Sequence, residues 1–351
     1  MLPVYLDHVL NPLLRDHQFV TEVYHYDENG KEQGVVFSEM SSRQNGEYDL
    51  ARNALNSLMY RARNPYTFET GGLTADVATL TNQEIIDYHR KYYDANNITV
   101  VMTGSFSDDF EEAVLQKLPA EMLKSSGSNS RMPIDCSPPL ENGPRCKTVH
   151  FPSSDADVGA VWFGWRGPVP GDVETAFAVN ILMEYLAENS SSPLNQRFVE
   201  RSSPLANDIS LYITDGVPQA IQLQFFGVPY PKAQDAEASC SDCEEKSDSM
   251  SENDSDNGSD EEDDKDLPHL FEEHYFEGLL IDEIRRLYDT GFDGDSEALL
   301  KATKRLRQRM AVEMENEPEE TIQSTLCADI VASHFSPASK GKFTIGTNAR
   351  A

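Results

Sequence analysis

The feature that most constrains the fold is a pair of amphipathic segments that follow one another near the start of the chain. Their apolar residues recur with the spacing of a helix face, at Val35, Val36, Met40, Leu50, Ala54 and Leu58. The run Asp27-Glu28-Asn29-Gly30 before them is typical of a turn ahead of a helix. The sequence therefore predicts two consecutive helices that each pack one face inward.

Two glutamates in the first of these segments are candidate site residues. Glu32 and Glu39 are seven residues apart, and at about 3.6 residues per turn this spacing places them on almost one line of a helix surface. One interpretation is that both are solvated surface charges. Glu39 is flanked by apolar residues, however, which favours a carboxylate that faces something other than bulk water.

The wording Gly34-Val35-Val36-Phe37-x-Glu39-Met40 resembles the third-ligand helix of the pitrilysin-type zinc metallopeptidases (inverzincins), in particular of presequence protease-like members. That family holds zinc with two histidines of an H-x-x-E-H helix and a glutamate on a later helix. The resemblance implies that Glu39 is the zinc-binding glutamate and that Glu32 supports the metal ligands without touching the metal. It also implies a zinc cofactor and peptide substrates for the complete protein.

The sequence contains no H-x-x-E-H motif, although it has eight histidines: His8, His17, His25, His89, His150, His269, His274 and His334. In the nearest imitation, His269 and His274 are five residues apart, which separates them by about 140° around a helix axis. The resemblance places the motif roughly 75 residues before Glu39, whereas only 38 residues precede it. We therefore expect an incomplete chain that has no catalytic residues and does not retain zinc alone.

The resemblance further implies an α+β fold with two tandem pitrilysin-type domains, each an incomplete mixed sheet covered by helices. Residues 1–123 are expected to form the C-terminal part of the first, zinc-site domain. Residues 124–146, rich in Ser, Pro, Gly and Asn, are the expected linker, and residues 147–351 the second, non-catalytic domain.

Periodicity and capping residues predict the individual elements. A helix is expected over residues 1–18 with a kink at Pro12, and another begins at Thr81, where Glu84 completes a capping box. The expected strands are Ile98–Gly104, Lys147–Phe151, Val158–Trp165, Ala206–Thr214 and Ala220–Val228. Later helices are expected from Asp172 to about Glu188, after Ser192, and over residues 269–290, 295–316 and 319–335.

The second domain weakly repeats the first. Ser38-Glu39-Met40 is mirrored by Val312-Glu313-Met314, as two homologous domains in tandem would give. In this comparison the helix over residues 173–188 takes the position that an H-x-x-E-H helix takes in the first domain. It contains Glu184 and no histidine, so we expect chemistry in the first domain only.

Charge and cysteine content narrow the classes of partner. The net charge is −31, and residues 235–266 hold fifteen acidic side chains against two lysines, a local charge of −13. This balance argues against nucleic acid, and no run of about 18 apolar residues predicts a membrane helix. The acidic run is expected to be a disordered surface insertion, with a basic protein as a possible partner. Five cysteines, an odd number, favour reduced thiols and a cytoplasmic location. The single Cys240-x-x-Cys243 pair has no second pair beside it and is a weak signal for a zinc or redox role.

Three hypotheses for function follow. The first is part of a zinc-dependent metalloendopeptidase that is inactive alone. The second is a non-catalytic family relative that binds a peptide or a partner chain, and the third is an acidic protein that binds basic partners such as histones. The first is favoured because Glu32 and Glu39 keep the family wording.

The acidic run yields a first prediction. Replacing residues 235–266 with a short Gly/Ser linker should shift the midpoint of thermal unfolding by no more than about 2 °C, because closure entropy depends weakly on loop length. A variant of unchanged length with Asn and Gln for the acidic residues separates the effect of charge from that of length. A larger drop for the linker variant would show that the segment packs against its domain, and lost histone binding in both variants would support the third hypothesis.

Overall fold

The computed structural model describes residues 2–61, 64–94, 97–107, 109–116, 145–154, 157–168, 172–214, 219–230, 270–271, 274–290 and 296–335. The Cα positions cluster into two compact units. The first comprises Met1–Pro138, Asn316–Pro337 and Phe343–Ala351, and the second comprises Pro139–Glu315 and Ala338–Lys342. The acidic run and nearly all of the expected linker lie outside the described residues, so the domain limits stay a prediction.

The first unit consists, in its described part, of helices and one short antiparallel ribbon. The ribbon pairs β1, His25–Tyr26, with β2, Glu32–Gln33. The helices are α1 Leu2–Leu10, α2 Asp16–Glu22, α3 Val35–Gln44, α4 Glu47–Met59, a 3₁₀ turn Pro65–Thr67, α5 Thr74–Val77, α6 Asn82–Tyr92 and α7 Phe110–Leu115. The predicted pair of consecutive helices is therefore confirmed as α3 and α4.

Two expectations for this unit are wrong. The helix over residues 1–18 is interrupted rather than kinked, since α1 ends at Leu10 and α2 begins at Asp16. Pro12 has no amide hydrogen to continue the helix, and Leu14 has a φ of 42°, which turns the chain. The segment Ile98–Gly104 forms no strand, because no neighbouring backbone in the described residues pairs with it.

The capping box at the start of α6 is confirmed. The Thr81 hydroxyl accepts a hydrogen bond from the Glu84 amide, and Glu84 Oε2 accepts one from the Thr81 amide at 2.8 Å. The Thr81 hydroxyl also donates to Glu84 Oε2 at 2.7 Å, and this bond together with that from the Thr81 amide holds the pKa of the Glu84 carboxyl below its usual range. The cap fixes the start of α6 independently of tertiary packing.

The second unit contains a three-stranded antiparallel sheet of order β3-β5-β4, formed by β3 Val158–Arg166, β4 Asp208–Ile213 and β5 Ala220–Pro229. The helices of this unit are α8 Val173–Ala187, α9 Pro193–Phe198, α10 Tyr275–Asp289 and α11 Ser296–Asn316. The last helix of the chain, α12 Pro318–Phe335, is grouped with the first unit.

One face of this sheet forms the core of the second unit. Alternate strand residues point to this face, and the row Val161–Phe225–Ile209 crosses all three strands. Phe225 contacts Phe198 of α9 and Phe276 of α10, with ring centroids 4.9 Å apart in both pairs. Phe198 and Phe225 are fully buried, so this aromatic cluster joins the sheet to two helices.

The opposite face of the sheet is polar at its centre. Gln222 and Gln224 of β5 are buried there, and the Tyr212 hydroxyl of β4 donates to Gln222 Oε1 at 2.8 Å. The Gln224 amide in turn donates to the Tyr212 hydroxyl at 3.0 Å. These bonds offset the cost of burying polar side chains.

The α+β class is confirmed by this combination of helices and sheet. The described strands pair antiparallel, in place of the mixed sheet that we expected. The strands Val158–Trp165, Ala206–Thr214 and Ala220–Val228 are confirmed within two residues, but Lys147–Phe151 forms no strand in the described residues. Asp172 caps α8 as predicted, since its side chain accepts from the Thr175 amide.

Among the described residues, no helix combines the length and the apolar character that crossing a lipid bilayer requires.

The aromatic cluster can be tested by truncation. Phe225→Ala should lower the free energy of unfolding of the second unit by about 3–5 kcal/mol, because it removes a fully buried ring and leaves a cavity. The control Tyr288→Ala, at a side chain that is 76% exposed, should change it by less than about 0.5 kcal/mol. Urea unfolding followed by tryptophan fluorescence, from Trp162 and Trp165 of β3, measures both. Equal values for the two variants would contradict this core assignment.

Candidate functional site

The start of α3 is fixed by Gly34. Its φ of 133° is unfavourable for residues with a side chain, and a Cβ there would collide with the Val23 carbonyl. The Phe37 amide donates to that same carbonyl at 3.3 Å. The helix therefore begins against the end of α2, at Val35, and it cannot extend back through Gly34.

Glu32 is consequently not on α3, and the predicted line of two glutamates along one helix is wrong. Glu32 lies in β2, opposite Tyr26 of β1, and its Oε1 accepts a hydrogen bond from the Tyr24 hydroxyl at 2.8 Å. Hydrogen bonding with Tyr26, partial burial and the Glu32 carboxylate together raise the pKa of Tyr24 well above its ordinary value. A tyrosine thus holds Glu32 on the ribbon beside the start of α3.

Glu39 lies on α3 as predicted, but it faces solvent. The exposed residues of α3 include Val35, Ser38, Glu39 and Ser42, which are spaced as one helix face. We call these four residues the open face of α3. The expectation that Glu39 is turned away from bulk water is therefore wrong in this structure, because its apolar neighbours Met40 and Val36 point elsewhere on the helix.

A group of charged residues lies behind α3, and sequence reasoning did not identify it. Glu69 has a side chain that is only 7% exposed, and its Oε2 accepts from Arg52 Nη2 at 2.9 Å and from Asn53 Nδ2 at 3.1 Å. Arg43 Nη2 lies 3.4 Å from Glu69 Oε1 and 3.3 Å from Asp49 Oδ1. Hydrogen bonding and charge from Asp49, with smaller contributions from Glu69 and Glu39, raise the pKa of Arg43.

The described residues do not supply a zinc site. Within them, no three His, Cys, Asp or Glu side chains are grouped closely enough to hold a metal ion. His274 belongs to the near-motif His269–His274, and it precedes α10 at a φ of 66° with Nδ1 2.6 Å from Glu277 Oε2. Because a catalytic zinc needs about three protein ligands, Glu39 by itself supplies too few ligands to hold the metal.

The second unit has an ion-pair cluster where α8 and α11 meet. Glu184 of α8 has a side chain that is 1% exposed, and its Oε1 accepts from Arg305 Nε of α11 at 2.9 Å. Arg309 Nη1 lies 2.9 Å from Glu184 Oε2 and 2.6 Å from Glu188 Oε1. A carboxylate with two guanidinium groups therefore joins α8 to α11, the helix that carries Glu313.

The spacing of the charged residues in this cluster is a signal that the sequence analysis did not use. Glu184 and Glu188 are four residues apart on one helix, and Arg305 and Arg309 are four apart on another, so each pair shares a face. The pairing itself joins residues 121 positions apart, and spacing within a helix cannot indicate such a contact.

The cluster leads to a stability prediction. Glu184→Gln should lower the free energy of unfolding of the second unit by about 1–3 kcal/mol, because two guanidinium groups lose their buried counter-charge while keeping part of their hydration. Glu188→Gln is the control, and because that side chain is about half exposed it should cost less than about 1 kcal/mol. Chemical unfolding of both variants decides the point, and a Glu184→Gln variant as stable as the parent would contradict it.

Comparison with known proteins shows which peptidases the chain is similar to. A family model described as "Peptidase M16 inactive domain" matches residues 79–242. An uncharacterized protein of Schizosaccharomyces pombe is 35% identical over 245 residues, which are 66% of this chain and 23% of that protein. The mitochondrial presequence protease of Yarrowia lipolytica is 28% identical over 214 residues, 56% of this chain and 21% of that protein. The chain thus spans less than a quarter of the length of these relatives.

Solved structures agree at the level of the fold. The crystal structure of a protease from Helicobacter pylori has a TM-score of 0.54 at 15% identity, and the match covers 86% of this chain and 61% of that one. A putative M16-like peptidase from Alicyclobacillus acidocaldarius gives a TM-score of 0.52 at 16% identity, covering 90% and 61%. The chain is therefore a relative of the pitrilysin-type (M16) peptidases, and its sequence contains no H-x-x-E-H motif.

Proposed function

We propose that this chain is part of a zinc-dependent metalloendopeptidase that cleaves peptides, and that the chain alone has no activity. The observation that carries the proposal is the position of Glu39. It lies in the segment that resembles the third-ligand helix, and it is exposed on the open face of α3. The similarity to presequence proteases supports peptides as the substrate class.

Glu39 would provide one ligand of three. The two histidines and the general base would come from an H-x-x-E-H segment outside this sequence. Glu32 would support the site from the ribbon, where Tyr24 holds its carboxylate. This position is close to the start of α3 in the chain, although it is not on the helix. We place the protein in the cytoplasm on the basis of its cysteine content.

The second unit would have no catalytic role. The acid that the sequence comparison places there, Glu184, is paired with Arg305 and Arg309. A carboxylate committed to two guanidinium groups is a poor metal ligand and a poor base, because either role would leave two partly buried cations without their counter-charge.

The alternative is a non-catalytic relative that binds a peptide or a partner chain. The match of residues 79–242, which lie partly in each unit, to an inactive domain supports this alternative, as does the ion pair at Glu184 in the second unit. The two proposals differ at Glu39, because a binding protein has no need of a carboxylate ligand there.

The test is zinc binding after the missing segment is supplied, fused in front of the chain or as a separate polypeptide. The parent should then bind one zinc and cleave a fluorogenic peptide, and the chain alone should do neither. Glu39→Gln should lose most of the bound zinc, because a neutral amide replaces an anionic ligand. Glu32→Gln should weaken zinc binding by about 10- to 100-fold, as expected for a group that supports a ligand.

Glu313→Gln is the matched control, since it changes the echoing position of the second unit, and it should leave zinc content and cleavage unchanged. Metal analysis and one peptide assay on the three variants suffice. If Glu39→Gln holds zinc as tightly as the parent, Glu39 is not a ligand and the alternative is favoured.

A further inference from the structure

The loop of residues 69–74 contacts the side of α3 that bears Met40, Arg43 and Gln44. Gln44 Oε1 accepts from the Thr74 amide at 2.9 Å and from the Thr74 hydroxyl at 2.8 Å. Gly71 lies against the Met40 side chain so closely that a Cβ would collide with the sulfur. Met40, Gln44 and Arg43, which reaches Glu69, are spaced as one helix face. The loop therefore contacts α3 from one direction only.

Helix α3 depends strongly on these contacts. It has ten residues, and Met40 is its only buried side chain. Isolated helices shorter than about 12–15 residues are marginal in water, so tertiary contacts must hold a helix of this length. Val36 and Phe37 are half-buried and the Phe37 ring contacts Tyr24, which holds the first turn of α3, so the polar contacts with the loop act on its last turns.

Glu69 is the centre of these polar contacts. Its carboxylate joins three parts of the chain: Arg43 on α3, Arg52 and Asn53 on α4, and its own loop. Arg43 is one turn after Glu39, and the Glu39 charge contributes to the raised pKa of Arg43. The guanidinium of Arg43 thus links the buried carboxylate to the turn of the helix that bears Glu39.

We propose that Glu69 and Arg43 are positioning residues for the open face of α3 and set the direction of Glu39. Neither residue needs to touch metal or peptide for this role. A displacement of the last turns of α3 would move Glu39 relative to any group that binds beside it, and a misplacement of about 1 Å can cost about 100-fold in function. The consequence for zinc rests on the proposed function, whereas the effect on α3 does not.

The first measurement is amide hydrogen exchange in the chain itself. Glu69→Gln should speed exchange in α3 by about 10- to 100-fold, because two guanidinium groups lose a buried counter-charge. Arg43→Lys should give a smaller increase, since it keeps the charge and loses the planar fork. Glu28→Gln, at an exposed glutamate of the β1–β2 turn, is the control and should change nothing.

Exchange in β5 of the second unit serves as the internal reference for global unfolding. If β5 loses protection in Glu69→Gln, that variant is set aside, and exchange in α3 of Arg43→Lys is compared with that of the parent. Unchanged exchange of α3 in Arg43→Lys, and in a Glu69→Gln variant that keeps β5 protected, would overturn the proposal.

The second measurement is zinc affinity of the chain supplied with an H-x-x-E-H segment. Glu69→Gln should weaken zinc binding by about 10- to 100-fold. Arg43→Ala should also weaken zinc binding, and Arg43→Lys should weaken it less than Arg43→Ala does. Glu28→Gln should bind zinc as tightly as the parent. If Glu39→Gln weakens zinc binding while Glu69→Gln does not, the positioning role fails and the proposed function stands. If Glu39→Gln has no effect on zinc, the proposed function fails, and the exchange data alone decide whether Glu69 holds α3.

Discussion

A carboxylate that loses contact with water must find compensating charge and hydrogen bonds in the protein, and two glutamates of this chain meet that requirement in the same way. Glu69 lies between Arg43 and Arg52, and Glu184 lies between Arg305 and Arg309. Each arrangement joins two helices, because the carboxylate and its arginines come from different elements. Removal of one partner from such a group is costly, so each group fixes the relative placement of its own helices.

The two groups differ in which glutamates remain exposed to solvent. In the first unit the buried glutamate pairs with Arg43 of α3, and a different glutamate, Glu39, four residues before Arg43, remains exposed. In the second unit Glu184 itself is buried by its arginines, so the interface of α8 and α11 is filled with protein charge. The Glu39 carboxylate is exposed, whereas the Glu184 carboxylate is already paired with two guanidinium groups, so the two glutamates differ in their capacity to bind a ligand.

Sequence reasoning succeeded where the signal is local. The capping box of Thr81 and Glu84, the Asp172 cap and the alternating strands of the sheet were all predicted, since each depends on residues within one or two turns or one strand. It failed where the outcome depends on partners. Ile98–Gly104 has the composition of a buried strand, but a strand requires a second backbone to pair with. Glu32 was placed on α3 because a spacing of seven assumes a continuous helix, and Gly34 interrupts it. The partners of Glu69 and Glu184 are distant in sequence, and no periodicity indicates them.

The two faces of the central strand β5 together determine its register in the sheet. Leu223 and Phe225 point into the aromatic core, and Gln222 and Gln224 point into the hydrogen-bonded layer with Tyr212. A slip of one residue would bring two amides into the core and two apolar side chains among polar partners, so both faces oppose it together. The strand therefore has one favourable register with its neighbours. The pairing of β5 with its neighbours, as far as Pro229 opposite Val158, is therefore set by the side chains of the strand itself.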